Sequence, residues 1–142
     1  MAVELKRTAA VLRVVGKAVL AQRLEKRGQV IADGVWEYGV VNHKKYGEVF
    51  AFEVDGFGSH IMMDDANVPS LLALPILGFV DVNDSVYKNT RKMILEQAGN
   101  PYYLQGKVFK GIGGMLKSFF SLHTWITYRS QVHILGMSMP GP

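Results

Sequence analysis

The sequence predicts a mainly α-helical fold with a short β-hairpin. Three observations support this fold class: apolar residues spaced three and four apart within residues 2–27, strand-forming residues within 38–54, and capped apolar segments within 64–77 and 83–97. A length of 142 residues fits one domain. The composition, with 49% hydrophobic and 20% charged residues, excludes disordered, collagen-like and coiled-coil classes.

The first predicted element is an amphipathic helix over residues 2–27. Its basic residues are expected to form a solvated face, and Gly28 is expected to end it. The positions i, i+3, i+4 and i+7 of its apolar stripe are occupied by Val11, Val14, Val15 and Ala18.

The next elements are extended. Residues 38–41 and 48–54 are rich in strand-forming side chains and flank the polar segment 43–47, which predicts a hairpin. Residues 55–58, Asp-Gly-Phe-Gly, then predict a turn.

Two helix starts follow. Asp65 or Asn67 is the expected N-cap of a short helix before a turn at Gly78, because Pro75 interrupts the apolar run there. The sequence Asn-Asp-Ser at 83–85 predicts the start of a helix that continues to about residue 97. After it, residues 102–109 are expected to be extended, and the sequence Lys-Gly-Ile-Gly-Gly at 110–114 is expected to be a loop.

Composition excludes several functions. All of the +4 net charge arises after residue 96, from four separated cations, which argues against nucleic-acid binding. The longest uncharged apolar stretch, residues 66–80, contains two prolines and is too short to span a bilayer, and charges near the start argue against an export signal. The absence of cysteine excludes thiolate chemistry, and the four histidines lack metal-ligand spacing, so neither a metal nor a cofactor is expected.

The main chemical signal is a group of unpaired acids. Residues 46–87 contain seven acids and no Lys or Arg. Charged carboxylates among apolar residues and glycines are costly unless they meet hydrogen-bond donors, a metal or a polyol. Four of the acids lie within 13 residues, and they are Glu53, Asp55, Asp64 and Asp65.

Each acid has a structural interpretation beside the functional one. Asp55 is also suited to a turn, Asp65 to a helix cap and Glu53 to a solvated strand face, but the adjacent Asp64 and Asp65 cannot easily both be caps. One of that pair is therefore a candidate ligand for sugar hydroxyls. Aromatic faces for a sugar, or else core residues, are supplied by Tyr46, Phe50, Phe52, Phe57 and Tyr103.

The segment 50–79 closely resembles glycoside hydrolase family 125. It reads F-A-F-E-V-D-G-F-G-S-H-I-M-M-D-D-A-N-V-P-S-L-L-A-L-P-I-L-G-F, and the resemblance extends to G-V-W-E-Y-G-V-V at 34–41, Y-K-N-T-R at 87–91, N-P-Y-Y at 100–103 and G-I-G-G at 111–114. Roughly the first 114 residues are covered. The most specific motif is M-D-D-A-N-V-P-S-L-L, residues 63–72.

The resemblance implies an (α/α)6 toroid that removes terminal α-1,6-linked mannose with inversion and without a metal. It implies that residues 1–114 form part of such a catalytic toroid, with Asp64, Asp65 and Asn67 in its mannose-binding wall. With Glu53 and Asp55 from the acid cluster, these are the residues expected to contact a mannose-containing glycan. A toroid of about 12 helices exceeds what this chain supplies, since helices average about 11 residues.

The chain also departs from the family. The segments W-S-G-F-R-P-S-D-D and H-E-S, which the resemblance associates with the catalytic acid and base, do not occur, and residues 115–142 diverge as an acid-free C-terminal tail. The chain is therefore expected to be an incomplete and inactive segment with no catalytic residue of its own. Two alternatives are a noncatalytic sugar-binding or protein-interaction module, and a small glycosidase that pairs Glu53 or Asp55 with Asp64 or Asp65.

Overall fold

The computed structural model describes residues 1–113 of the chain, and the predicted tail at 115–142 lies outside them. The described part is mainly helical with short antiparallel strand pairs. Its helices are α1 (Ala2–Val14), α2 (Ala18–Gly39) and α3 (Ser85–Ile94). Its strands form the pairs β1–β2, β3–β4 and β5–β6, and they are β1 (Val40–His43), β2 (Gly47–Phe50), β3 (Glu53–Val54), β4 (His60–Ile61), β5 (Tyr103–Gln105) and β6 (Lys110–Ile112).

The prediction of one helix over residues 2–27 is wrong, because the chain reverses at Gly16. This glycine has a φ of 74°, a left-handed conformation that side chains disfavour, and the Lys17 amide donates to the Leu12 carbonyl at 2.8 Å. The two helices then run antiparallel. Lys6 Nζ donates to Gln29 Oε1 at 2.8 Å, and Arg13 forms an ion pair with Glu25.

Small residues line the contact between α1 and α2. A Cβ atom at Gly28 would lie 2.9 Å from the Ala2 carbonyl oxygen, so only glycine permits this close approach without a shift of the backbone. Gly28 therefore lies inside α2 at a helix crossing and does not end a helix. The buried residues of the contact are Ala2, Ala9, Ala21, Gly28 and Ala32.

The apolar stripe of the first predicted helix does not face the core of the described structure. The exposed fractions of Val11, Val14 and Val15 are 63%, 88% and 60%. The helices α1 and α2 instead pack through the alanines and Gly28, because these small residues let the two backbones approach closely. The valines therefore point away from this contact. Among residues 1–113, no helix is both long enough and apolar enough to cross a membrane.

The predicted hairpin is confirmed as β1–β2, with Val40 opposite Phe50 and His43 opposite Gly47. Its second strand ends earlier than expected, because the Phe52 amide donates to the Ile61 carbonyl at 2.9 Å. From Phe52 onward the chain therefore pairs with residues 60–61 and no longer with β1. Residues Glu53–Val54 pair with His60–Ile61, and the predicted turn at 55–58 connects them.

The prediction of a short helix before Gly78 is wrong. Consecutive turns occupy this segment, closed by hydrogen bonds such as Ala73 N to Ser70 O at 3.1 Å. Pro75 has no amide hydrogen to donate, which prevents a continuous helical ladder. The turn at Gly78 is confirmed.

The predicted helix after residue 84 is confirmed as α3. Asp84 is its N-cap and accepts a hydrogen bond from Tyr87 N at 2.9 Å. The helix ends three residues earlier than expected, and Tyr87, Met93 and Ile94 are fully buried.

The glycine-rich segment contains strand β6 and is not simply a loop, since residues 110–112 pair with 103–105. The main core lies between α3, the β1–β2 hairpin and the turns that follow residue 69. The Trp36 side chain of α2 contacts this core, with its ring centroid 5.1 Å from that of Phe50 and 6.2 Å from that of Phe79.

Candidate functional site

Asp64 is the most deeply buried acid of the described chain, with no exposed surface. Its Oδ1 accepts hydrogen bonds from the backbone amides of Asp65 and Leu71, both at 3.2 Å, and its Oδ2 accepts one from Leu72 at 3.2 Å. Asp64 therefore takes the capping position predicted for Asp65 or Asn67, and it caps a turn in place of a helix.

The charged form of the Asp64 carboxyl is costly in this buried position, although three backbone amides donate hydrogen bonds to it. Burial, with a smaller contribution from the charge of Asp65, raises the pKa of Asp64 from 3.8 to about 7. The backbone hydrogen bonds from Leu72, Leu71 and Asp65 act in the opposite direction. At neutral pH, the Asp64 carboxyl is therefore divided between its neutral and charged forms.

Asn100 holds the backbone of Asp64 from the other side. Its Nδ2 donates to the Asp64 carbonyl at 2.9 Å, and its Oδ1 accepts from the amides of Asp64 at 3.3 Å and Tyr102 at 3.1 Å. The side chain is fully buried, and its amide pairs with both the N–H and the carbonyl of Asp64, as the backbone of a neighbouring strand would. The sequence places Asn100 in the family-like segment N-P-Y-Y at the stop of a helix, and this gave no indication of its contact with Asp64.

Asp65 and Asn67 form a small polar unit beside this buried core. Asp65 Oδ1 accepts from Asn67 N at 3.0 Å, and Asp65 Oδ2 accepts from Asn67 Nδ2 at 2.7 Å. Asp65 is buried, whereas Asn67 is exposed. The buried carboxylate thus orients the side-chain amide of an exposed residue, which keeps an acceptor oxygen and a second N–H available.

Glu53 and Asp55 lie on the β3–β4 hairpin. Glu53 is exposed and pairs with Ile61, and Ile61 lies three residues before Asp64 in the chain. Asp55 Oδ1 accepts from Phe57 N at 2.8 Å and Ser59 N at 3.0 Å, which lowers the pKa of Asp55. Within residues 1–113, no hydrogen bond joins Glu53 or Asp55 to the other two acids of the cluster.

The candidate aromatic residues have different positions. Tyr46 and Phe50 are buried in the core, and Phe52 and Tyr103 pack against it partly buried. Phe57, at the tip of the β3–β4 hairpin, is 95% exposed. The core interpretation therefore holds for four of the five, and Phe57 alone of them presents a free aromatic face.

Tyr87 is a further buried residue of the site. Its hydroxyl donates to the Leu72 carbonyl at 3.1 Å, directly beside the amide that contacts Asp64. Across residues 1–113, no three His, Cys, Asp or Glu side chains are grouped closely enough to hold a metal ion.

Comparison with known proteins places the chain in the class of the glycoside hydrolases. A family model described as metal-independent α-mannosidase (GH125) matches residues 1–124, ten residues beyond the extent of the resemblance noted in the sequence. The chain belongs to glycoside hydrolase family 125.

Two relatives show how much of the family this chain represents. It is 54% identical over 114 residues to the meiotically up-regulated gene 157 protein of Schizosaccharomyces pombe, a match that covers 80% of this chain and 22% of the yeast protein. A solved α-mannosidase from Streptococcus pneumoniae, in a non-productive complex with α-1,6-mannobiose, matches with a TM-score of 0.71 and 33% identity. That match covers 94% of this chain and 34% of the bacterial chain, so the chain spans about a fifth and a third of these two relatives.

Proposed function

We propose that this chain is a sector of an inverting, metal-independent exo-α-1,6-mannosidase. Residues 1–114 form part of an (α/α)6 catalytic toroid, and residues 115–142 form a divergent tail. The family membership supports the substrate class, and the streptococcal neighbour solved with α-1,6-mannobiose supports the linkage. The sector contributes part of the wall that binds mannose and does not supply the catalytic acid or base.

The oriented amide of Asn67 is the observation that carries this proposal. A buried carboxylate, Asp65, accepts two hydrogen bonds from Asn67, one from its backbone N–H at 3.0 Å and one from its side-chain Nδ2 at 2.7 Å, and the second fixes the side-chain amide. A fixed amide offers one donor and one acceptor, the pattern that vicinal sugar hydroxyls require. Asp64 acts as the positioning residue, because it ties the first residues of the motif to the turn at Leu71 and Leu72.

Catalysis by this sector alone is not supported by its carboxyl groups. Inversion requires a general acid and a general base about 6.5 to 9.5 Å apart with a water between them. The alternative needs Asp64 or Asp65, and both carboxyls are buried with hydrogen bonds on both of their oxygens. Neither Asp64 nor Asp65 is free to serve a substrate, so the small-glycosidase alternative is disfavoured.

The test is binding and turnover of α-1,6-mannobiose by the 142-residue chain. Calorimetry is expected to detect saturable binding, and chromatography is expected to detect no released mannose. Asp65→Asn is expected to weaken binding about tenfold, because its amide would place two donors face to face at Asn67 Nδ2. The matched control is Glu48→Gln, which neutralises an exposed acid on β2 and is expected to leave binding unchanged.

Two results would contradict the proposal. Mannose release that disappears in Glu53→Gln would identify the chain as a glycosidase in its own right. Equal affinity in Asp65→Asn and the unmodified chain would remove the Asp65–Asn67 unit from the binding wall.

A second candidate function is a noncatalytic sugar-binding or interaction module. The exposed valines of the α1–α2 hairpin favour it, since Val14 and Val19 are 88% and 77% exposed. Contiguous exposed apolar side chains mark surfaces that contact other protein segments. Concentration-dependent self-association or partner binding, lost in Val14→Ser/Val19→Ser with sugar binding retained, would support this candidate.

A further inference from the structure

A cleft of about 180 Å³ lies between the end of α2, strand β1 and the β3–β4 hairpin. None of the residues that line it belongs to the 64–67 motif. This volume is smaller than the about 300 Å³ typical of the smallest drug-sized pockets, so the cleft suits only a small ligand. Its lining residues include Glu37, Tyr38, Val41, Val54, Ser59 and His60.

The polar groups of the cleft come from two separate elements. Glu37 and Tyr38 lie in the last turn of α2, and Ser59 and His60 lie at the end of the hairpin turn and the start of β4. A hydrogen bond to the Glu37 carboxylate raises the pKa of the Tyr38 hydroxyl. Carboxylate, phenol and imidazole together provide both donors and acceptors.

Glu37 is unusual for its position in a helix. The last turn of a helix favours cations, because the helix dipole is negative there, and α2 has no basic residue in its last turn. No Lys or Arg of residues 1–113 forms a salt bridge with Glu37. The carboxylate is therefore exposed in the cleft with no salt bridge from the described residues, so a ligand can reach it.

The walls of the cleft are fixed before any ligand arrives. Trp36, the neighbour of Glu37, is held by Phe50 and Phe79, and this contact anchors the end of α2. On the other wall, Asp55 accepts hydrogen bonds from the amides of Phe57 and Ser59 and fixes the hairpin turn. Preformed walls reduce the ordering entropy that binding costs.

The chemistry of the lining selects a neutral polyol. The lining contains a carboxylate and no Lys or Arg, which disfavours phosphates and other anions. Val41 and Val54 give the cleft apolar sides suited to the C–H face of a pyranose, and Glu37 and His60 add polar groups suited to its hydroxyls. A simple cation would not use those apolar sides.

We propose that this cleft is a second carbohydrate-binding site, which holds one hexose unit of a mannose-containing glycan apart from the Asp64–Asn67 motif. The choice of mannose rests on the proposed function, whereas the choice of a neutral sugar rests on the cleft itself. Glu37 accepts hydrogen bonds from sugar hydroxyls, and Tyr38 and His60 complete the polar contacts.

The test is an NMR titration of the isotope-labelled 142-residue chain with α-1,6-mannobiose. Amide signals of Tyr38, Ser59 and His60 are expected to shift in a saturable manner. Glu37→Gln is expected to weaken the affinity measured at these signals about tenfold, because a charge-assisted hydrogen bond is lost. Glu48→Gln is the control, since it removes an exposed acid from the other hairpin. Both side chains are exposed, so folding is expected to be retained, and Tyr38→Phe provides a second variant of the cleft.

The pattern of shifts separates the two proposed sites. Shifts at residues 65–67 without shifts at the cleft overturn this inference and leave the mannose wall intact. Shifts at the cleft alone support the second site and contradict the wall. If neither the cleft signals nor those of residues 65–67 shift, both the second site and the mannose wall are refuted. A response of the cleft to lysine amide but not to mannobiose identifies a cation site and overturns the sugar assignment.

Discussion

Replacement of Asp64 by asparagine is expected to change the pH dependence of stability. The pKa of Asp64 is about 7 in the folded chain against an ordinary 3.8. At 1.36 kcal/mol per pH unit, that difference corresponds to about 4 kcal/mol. Since the folded chain binds this proton more tightly than the unfolded chain does, the Asp64 contribution is greatest at low pH. It declines as the pH rises from about 4 to about 7 and is constant above that.

Asp64→Asn removes this decline but introduces a local defect. The amide oxygen can accept from the Asp65 and Leu71 amides, while its nitrogen faces the Leu72 amide that Oδ2 accepts in the unmodified chain. One buried donor then lacks an acceptor, at a cost of about 1–3 kcal/mol. The variant should be less stable at about pH 5, and the difference should shrink or reverse by about pH 8.

The assay is urea unfolding followed by far-UV circular dichroism at several pH values between these limits. Glu48→Gln serves as the control and is expected to track the unmodified chain. A free-energy difference between Asp64→Asn and the unmodified chain that stays constant with pH would refute the burial argument. Asp64→Ala, which leaves all three amides without the carboxylate, is expected to be the least stable of the series at every pH.

Two further stability predictions concern other buried contacts. Gly28→Ala is expected to destabilise the chain by about 1–3 kcal/mol, because its Cβ would lie 2.9 Å from the Ala2 carbonyl oxygen. Gly34→Ala, on the same helix with nothing within 4 Å of its Cβ, is expected to stabilise by about 0.5–1 kcal/mol, and thermal unfolding that ranks them the other way would contradict the close helix crossing. Thr90→Val is expected to cost about 1–3 kcal/mol, since Thr90 Oγ1 accepts from the buried Phe50 amide at 2.8 Å. Thr90→Ser keeps that acceptor and should lose less, so equal losses in the two variants would rule out the hydrogen bond as the cause.

Local signals in the sequence predicted the elements that local interactions determine. Asp84 before an apolar run predicted α3, and the polar segment 43–47 between strand-forming residues predicted the β1–β2 hairpin. In both, residues within a few positions of each other make the decisive contacts. The family resemblance was likewise carried by a contiguous motif.

Elements that depend on distant contacts were not predicted. Gly28 looked like a helix end, and only the approach of Ala2, 26 residues earlier, gives it a packing role. The burial of Asp64 depends on Asn100, 36 residues later, and the end of β2 depends on Ile61. The position of Glu37 beside His60 likewise follows from the packing of α2 against β3, which no spacing along the chain reveals.

The contact between Asn100 and the Asp64 backbone has a consequence for the chemical ageing of the protein. Asparagine usually deamidates when the backbone nitrogen of the following residue, after loss of its hydrogen, attacks the side-chain amide to form a cyclic imide. Asn100 is followed by Pro101, whose nitrogen has no hydrogen to lose. The usual route to aspartate is thus closed at the one asparagine whose conversion would place another carboxyl against the buried Asp64.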